Sequence, residues 1–271
     1  MIWEEILNRS NITGVKIHHT FQEDVQKAIL TSLSREKAFN DIVFQGGTSL
    51  RFFYGNPRFS EDLDFVLRYK KDDFDFTKIL IKIKRFVSDV FPFLDEVKIS
   101  IQKNDSYIQR LILRTFSDIS EQKLRIHIEL AYVPSYHNQP RILNFPPFNP
   151  AVRVENLSEI LADKITAIGG RSYLKGRDIW DIYFLTNEKQ ISVPWDLVFQ
   201  KAKDYGDSTD DFKEKLLLAR NKIKDNGLSI LSNEMRRFLP KTFLDQYKEM
   251  FDKIIISVAE EVDLIKNIQK R

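Results

Sequence analysis

The stretch Phe44-Gln-Gly-Gly-Thr-Ser-Leu-Arg-Phe-Phe-Tyr-Gly-Asn-Pro-Arg-Phe-Ser-Glu-Asp-Leu-Asp-Phe65 decides the reading of this chain. Asp41 to Gln45 reads as a short strand running into Gly46-Gly47, and Thr48 to Tyr54 as the start of a helix. Glycines let a backbone approach a ligand closely. The N–H groups at a helix start bind phosphate, and the hydroxyls of Thr48 and Ser49 can add donors. A P-loop is excluded, because no Gly-Lys-Ser/Thr follows at the required spacing. Asp62-Leu63-Asp64 comes next, on a stretch to Leu67 that alternates polar and apolar before Val66. Positions i and i+2 of a strand share a face, so both carboxylates point one way while Leu63 and Phe65 point into the core.

Two neighbouring anions repel unless a cation sits between them. Oxygen ligands without thiolates point to Mg²⁺ or Mn²⁺. A third acid is available in Lys123-Leu-Arg-Ile-His-Ile-Glu-Leu130, where Leu124, Ile126, Ile128 and Leu130 form one face and Lys123, Arg125, His127 and Glu129 the other. If that strand lies beside Asp62–Asp64, Glu129 completes a three-carboxylate cluster of the kind used in two-metal phosphoryl or nucleotidyl transfer. A wet strand face explains Glu129 equally well. For His127, a structural role is the simpler reading.

The rest of the chain sorts into two lobes. Five of the nine prolines lie between Pro134 and Pro150, so that stretch is expected to be an extended, irregular linker. Before it, helical patterns at Phe21–Leu33 and Phe74–Val90 mix with strand patterns at Tyr107–Thr115 and Lys123–Tyr132, the last two read as a hairpin. After it come helical patterns at Leu157–Ile168, Asp178–Leu185, Trp195–Ala202, Asp211–Asn221, Leu228–Phe238 and Phe243–Gln269. The expected fold is therefore α/β (α+β): residues 1–150 form a lobe with a mixed sheet flanked by helices, and residues 151–271 a helical lobe.

In the first helix after the linker, Asn156 and Glu159 have capping-box spacing, and Lys164 sits inside the apolar stripe of Ile160, Leu161, Ile165 and Ile168. A lysine facing inward needs an anion; the alternative is that it snorkels to solvent. Asp178 and Asp181 lie at i and i+3, on one helix face, where they can cap the helix or pair with Arg171 or Arg177. Arg68 to Arg85 holds seven basic and three acidic residues, which suits either a solvated helix face or contact with an RNA backbone.

Composition narrows the classes. The chain has 271 residues, so it can bury a large core. Its lack of cysteine excludes disulfides, thiolate metal sites and a Cys nucleophile. Of the four histidines none forms His-Glu-x-x-His, and no Gly-x-Ser-x-Gly elbow occurs. No apolar run suits a membrane span, and the N-terminus lacks the pattern of a secretory signal, so a cytoplasmic protein is expected. The net charge of +3 permits nucleic acid as a partner without arguing for it.

At these motifs the chain resembles the nucleotidyltransferase superfamily related to DNA polymerase β, and within it the AbiEii/AbiGii toxin family of type IV toxin–antitoxin and phage-abortive systems. Gly46, Gly47, Thr48 and Leu50 match the family's Gly-Gly-Thr-x-Leu motif. Arg58, Ser60, Asp62, Leu63, Asp64 and Phe65 match Arg-x-Ser/Thr-x-Asp-Leu-Asp-Phe, and Lys164, Arg171, Arg177, Asp178 and Asp181 match the later Lys…Arg…Arg-Asp-x-x-Asp pattern. The resemblance implies a polymerase β-like catalytic lobe, an NTP substrate and Mg²⁺ (or Mn²⁺) on Asp62, Asp64 and Glu129. It implies that Gly46, Gly47, Thr48 and Ser49 hold the triphosphate, that Lys164 contacts the phosphates, and that Asp178 and Asp181 hold Lys164 or the nucleotide. It also implies an RNA acceptor such as a tRNA 3′ end, and a cognate antitoxin. Transfer to a protein hydroxyl, and a non-catalytic nucleotide-binding module, are the competing readings.

Overall fold

The computed structural model describes residues 1–70 and 74–268. Residues 71–73 of the basic stretch and Gln269, the expected end of the last helix, lie outside the described residues. The chain divides into two units: Met1–Tyr54 with Ser60–Glu155, and Gly55–Phe59 with Asn156–Arg271.

The first unit runs α1 (Trp3–Thr13), α2 (Ile17–Arg35), β1 (Ile42–Gln45), α3 (Gly46–Tyr54), β2 (Leu63–Leu67), α4 (Leu80–Val90), β3 (Glu96–Asn104), β4 (Ile108–Phe116), β5 (Leu124–Pro134), β6 (Asn138–Ile142) and β7 (Ala151–Glu155). Its strands form one mixed sheet in the order β3-β4-β5-β2-β1-β7-β6. β1 is central and pairs antiparallel with β2 and parallel with β7. Ile42, Val43 and Phe44 are accordingly all fully buried. β2 pairs parallel with β5, and β5 forms the expected antiparallel hairpin with β4. On β5 the face of Leu124, Ile126, Ile128 and Leu130 is buried. Phe65 of β2 packs among Phe44 (centroids 5.3 Å apart), Phe76 (5.8 Å) and Phe39 (6.4 Å). Burying such a ring contributes about 1.5–3 kcal/mol, and it fixes which face of the strand Asp64 occupies.

Two expectations need correction here, and two elements are new. The Pro134–Pro150 stretch lies within the first unit and is irregular only in part: Pro134 ends β5 and Pro140 lies within β6, which pairs with β7, while 143–150, with Pro146, Pro147 and Pro150, forms no helix or strand. Proline is tolerated because β6 is an edge strand, whose missing N–H costs no ladder bond. The helix expected from Phe74 begins as a 3₁₀ turn at Phe76–Ile79, where the Asp75 side chain accepts from the Thr77 N–H (2.8 Å). β3 and α1 are additions that the sequence reading does not contain.

The second unit gathers α5 (Leu157–Gly170), α6 (Gly176–Tyr183), α7 (Trp195–Asp204), α8 (Thr209–Phe238), α9 (Lys241–Tyr247) and α10 (Phe251–Asp263). Asn156 caps α5 by accepting from the Glu159 N–H at 2.9 Å, while the Glu159 carboxylate meets Lys201 at 2.8 Å. The two helices expected over 211–238 are one, because Gly227 does not break it. A Cβ there would come within 2.9 Å of Ile255 Cδ1, so the glycine lets α10 pack close. The single helix expected from Phe243 is interrupted by a 3₁₀ turn at Lys248–Met250, and a second such turn, Leu264–Asn267, follows α10. The first turn separates Tyr247, whose ring meets Trp180 edge-on at 5.0 Å, from the buried stripe of Phe251, Ile254, Ile255 and Val258. Among the described residues no helix is long and apolar enough to cross a membrane.

Candidate active site

In the first unit, strand register lines up one row of polar side chains. Gln45 of β1 stands opposite Asp64 of β2, Asp64 opposite Glu129 of β5, and Glu129 opposite Arg110 of β4. β5 therefore does lie beside β2. Glu129 accepts a hydrogen bond from Arg110 Nε. This bond, and the fields of Glu129, Asp62 and Asp64, raise the Arg110 pKa. Arg110 thus senses all three carboxylates at once, and the sequence reading did not single it out. One position further, His127 Nδ1 lies 3.6 Å from Asp62 Oδ1, and His127 Nε2 is buried without a hydrogen-bond partner. Asp62, Asp64 and Glu129 are hard oxygen donors on one face, the chemistry Mg²⁺ or Mn²⁺ requires. Among the described residues, no three His, Asp or Glu side chains converge into a ligand set. Glu129 is turned to Arg110 instead, so the donor type fits the ion while the side-chain rotamers here serve the arginine.

The start of α3 closes this row. Gly46 has φ +79°, and a Cβ on it would lie 2.7 Å from Asp64 Oδ2. The glycine is therefore needed twice, for its left-handed backbone and for the approach of the carboxylate. Gly46, Gly47, Thr48 and Ser49 are all buried. The Thr48 hydroxyl donates to the Asp62 carbonyl and the Ser49 hydroxyl to the Gly46 carbonyl (3.0 Å). Both hydroxyls thus brace the turn, leaving the backbone N–H groups of the helix start as the donors for an anion. Gly46→Ala is expected to cost about 1–3 kcal/mol of stability, the usual strain of a non-glycine residue held there. A urea-unfolding midpoint lower than wild type checks it.

The second unit holds the other sequence-derived residues. Lys164 Nζ meets Asp178 Oδ1 at 3.0 Å and Asp181 Oδ2 at 2.9 Å. Asp178 also pairs with Arg171. Asp181 is gripped by Arg58, whose Nε donates to Oδ1 at 2.6 Å and whose Nη2 donates to Oδ2 at 2.5 Å. Asn56 Nδ2 adds a third donor to Asp181 at 2.9 Å. Lys164 therefore faces inward onto anions and does not snorkel. Burial works against its charge, but Asp181 and Asp178 outweigh burial and raise its pKa. For Asp178, burial pushes upward and Lys164 and Arg171 pull it below the usual carboxylate range. Arg58 and Asn56 are contributors to which the sequence reading assigns no role. The signal available was the arginine of the Asp-x-Asp motif itself. In the basic stretch, Lys82 pairs with Glu36, and Arg85 lies 3.8 Å from Asp89, as on a solvated helix face.

With this geometry in hand, a family profile described as "Nucleotidyl transferase AbiEii toxin, Type IV TA system" matches residues 28–261. Among solved structures, the chain is similar to JHP933 from Helicobacter pylori, at 19% identity over 92% of each chain with a TM-score of 0.56. It is also similar to a second H. pylori structure, that of a candidate nucleotidyltransferase. There the identity is 18%, the coverage 92% of this chain and 97% of that one, and the TM-score 0.56. At such identities the likeness shows the fold alone. No curated protein matches the chain.

Proposed function

The chain belongs to the AbiEii family of nucleotidyl transferase toxins of type IV toxin–antitoxin systems, and on that premise we propose that it transfers a nucleoside monophosphate from an NTP to an RNA hydroxyl at a tRNA 3′ end. Family membership brings an NTP substrate and an antitoxin partner. The reading rests on one observation above the others: Asp64 stands opposite Glu129 in the β2–β5 register, with Gly46 packed against the Asp64 carboxylate.

In this reading the acceptor oxygen attacks the α-phosphorus of the NTP. The new O–P bond forms as the bond from the α-phosphorus to the bridging oxygen breaks, and pyrophosphate leaves. Mg²⁺ or Mn²⁺ held by Asp62 and Asp64, with Glu129 beside them, would supply Lewis acidity toward the phosphoryl oxygens. The N–H groups of Gly46, Gly47 and Thr48 at the start of α3 hold phosphate oxygens. Ser49 fixes that turn through the Gly46 carbonyl. Glu129 accepts the proton leaving the acceptor hydroxyl, which requires it to exchange Arg110 for that hydroxyl. Arg110 then faces the phosphates as a fixed positive charge. To Lys164 we assign the phosphate contact that the family resemblance implies, with Asp178 and Asp181 keeping it protonated.

The test is a labelling assay with total RNA, each α-labelled NTP in turn, and Mg²⁺ with or without EDTA. Label is expected in tRNA, from one preferred NTP, and is expected to vanish with EDTA. Label in protein bands instead would move the acceptor to a protein hydroxyl. No label with any acceptor, despite nucleotide binding, would leave a binding module.

A further inference from the structure

Residues 55–59 link α3 to β2, the two elements that carry the glycine turn and the Asp-x-Asp pair. Yet this pentapeptide belongs to the second unit. It is built into that unit's interior: Asn56, Arg58 and Phe59 are at most 4% exposed. Asn56 Oδ1 accepts from Trp180 Nε1 at 2.9 Å, and Phe59 N–H donates to the Phe238 carbonyl at 2.7 Å. The Arg58 guanidinium forks onto Asp181, and its remaining nitrogen, Nη1, donates to the Phe59 carbonyl at 3.0 Å.

The next three carbonyls along the chain are gripped as well. Ser60 O accepts from Gln26 Nε2 at 3.0 Å, Glu61 O from Gln22 Nε2 at 3.4 Å, and Asp62 O from the Thr48 hydroxyl. With Phe59 O, four successive carbonyls each accept a side-chain hydrogen bond before β2 begins. Ordering each of these side chains costs conformational entropy. Gln22 and Gln26 are themselves buried on α2. A slip of one residue in this run would send Asp64 to the opposite face of the sheet.

We propose that Arg58 is a positioning residue, whose fork on Asp181 and clamp on the Phe59 carbonyl set the phase in which the chain enters β2 and so aim the carboxylates of Asp62 and Asp64. Stability alone is a poor explanation for the fork, since a buried ion pair is often no better than apolar packing of the same volume. A planar guanidinium does what packing does not: it fixes orientation through several donors at once. The same geometry accounts for an arginine four residues before Asp62. The proposal rests on the nucleotidyl-transfer reading for its catalytic consequence but not for its structural one.

The test therefore has two readouts on Arg58→Lys, which keeps the charge and loses the fork, and on Asn56→Ala, which removes one neutral donor from Asp181 and keeps the Arg58 fork. Hydrogen exchange of the peptide 60–67 is expected to quicken about tenfold or more, as loss of a charge-assisted hydrogen bond implies. Exchange in α8 and α10 should stay at wild-type rates. In the transfer assay, kcat is expected to fall about 10–100-fold through misplaced carboxylates, with the KM for NTP within a factor of about two. Faster exchange throughout the second unit would overturn the proposal in favour of a purely structural role. So would unchanged exchange at 60–67 in both folded variants. If the wild type transfers nothing, the functional reading fails while the exchange result still decides the role of Arg58.

Discussion

Asp64→Ala is expected to lower nucleotidyl transfer by about a thousandfold or more while leaving the fold intact. The carboxylate stands between Gly46 and Glu129 in the row of β1, β2 and β5, on the face away from the core. In the proposed mechanism the change would take away an oxygen donor to the divalent cation, an interaction of several kcal/mol in the transition state, and each 1.36 kcal/mol is about tenfold in rate. The core does not feel the change, because Leu63 and Phe65, on either side, carry the packing of β2 and are at most 1% exposed. Asp62 and Glu129 lose a like-charged neighbour while Arg110 loses an opposite charge, so without metal the two changes offset and the variant should melt close to the wild-type temperature. Steady-state rates with labelled NTP beside thermal melts check both halves. Transfer retained by a folded Asp64→Ala protein would remove this residue from the mechanism. A lost activity accompanied by a lower melting temperature would say instead that the carboxylate is structural.

What the sequence made legible, and what it did not, divides by distance along the chain. Gly46-Gly47-Thr48 and Asp62-Leu63-Asp64 are local signals, in which a strand end, a helix start and a two-residue period suffice to place side chains on a face. The alternation of Leu124 to Leu130 was readable for the same reason. That Asp64 stands opposite Glu129 depends on parallel pairing of β2 with β5, which no local pattern specifies. Arg110 enters the site only through a further register, that of β4 with β5. β3 shows the converse. Val97, Ile99 and Ile101 alternate as a strand should, but Lys98, Gln102 and Lys103 make the stretch look like a solvated loop. It is an edge strand exposed over most of its length, so burial left little mark on its composition. Pro140 misled because proline marks extended backbone, and an edge strand is as extended as a linker. Arg58 is the sharpest case. Its partner Asp181 lies 123 residues away, and each residue alone reads as a solvent-facing charge in a loop or at a helix start.

That pair carries the largest expected effect on stability. Asp181→Ala is expected to destabilise the second unit by about 3–5 kcal/mol, the usual cost of leaving a buried charge without its partner. Arg58 would be stranded at 2% exposure with its fork empty, and Lys164 would keep Asp178 as its remaining carboxylate partner in this cluster. Replacing both members, as Arg58→Leu with Asp181→Leu, should cost less than Asp181→Ala alone, since no charge is then stranded in the fork. Urea unfolding of the variants measures the difference. Equal losses in the single and double variants would mean that the ion pair matters only as packing. The same carboxylate predicts a pH dependence. Burial pushes the Asp181 pKa up, but Arg58 and Lys164 more than reverse this and bring it from 3.8 to about 2. A carboxyl whose folded pKa is depressed stabilises fully above its unfolded pKa, and that contribution is lost as pH falls through the folded one. The loss should therefore begin just below pH 4 and continue to about pH 2. Asp178, also lowered, adds to it in the same direction. In the double-leucine variant the Asp181 share of this acid loss should be absent, so its stability should fall less steeply below pH 4 than that of the wild type. An identical acid slope in the two proteins would place the titrating groups elsewhere and deny the depressed pKa its cause.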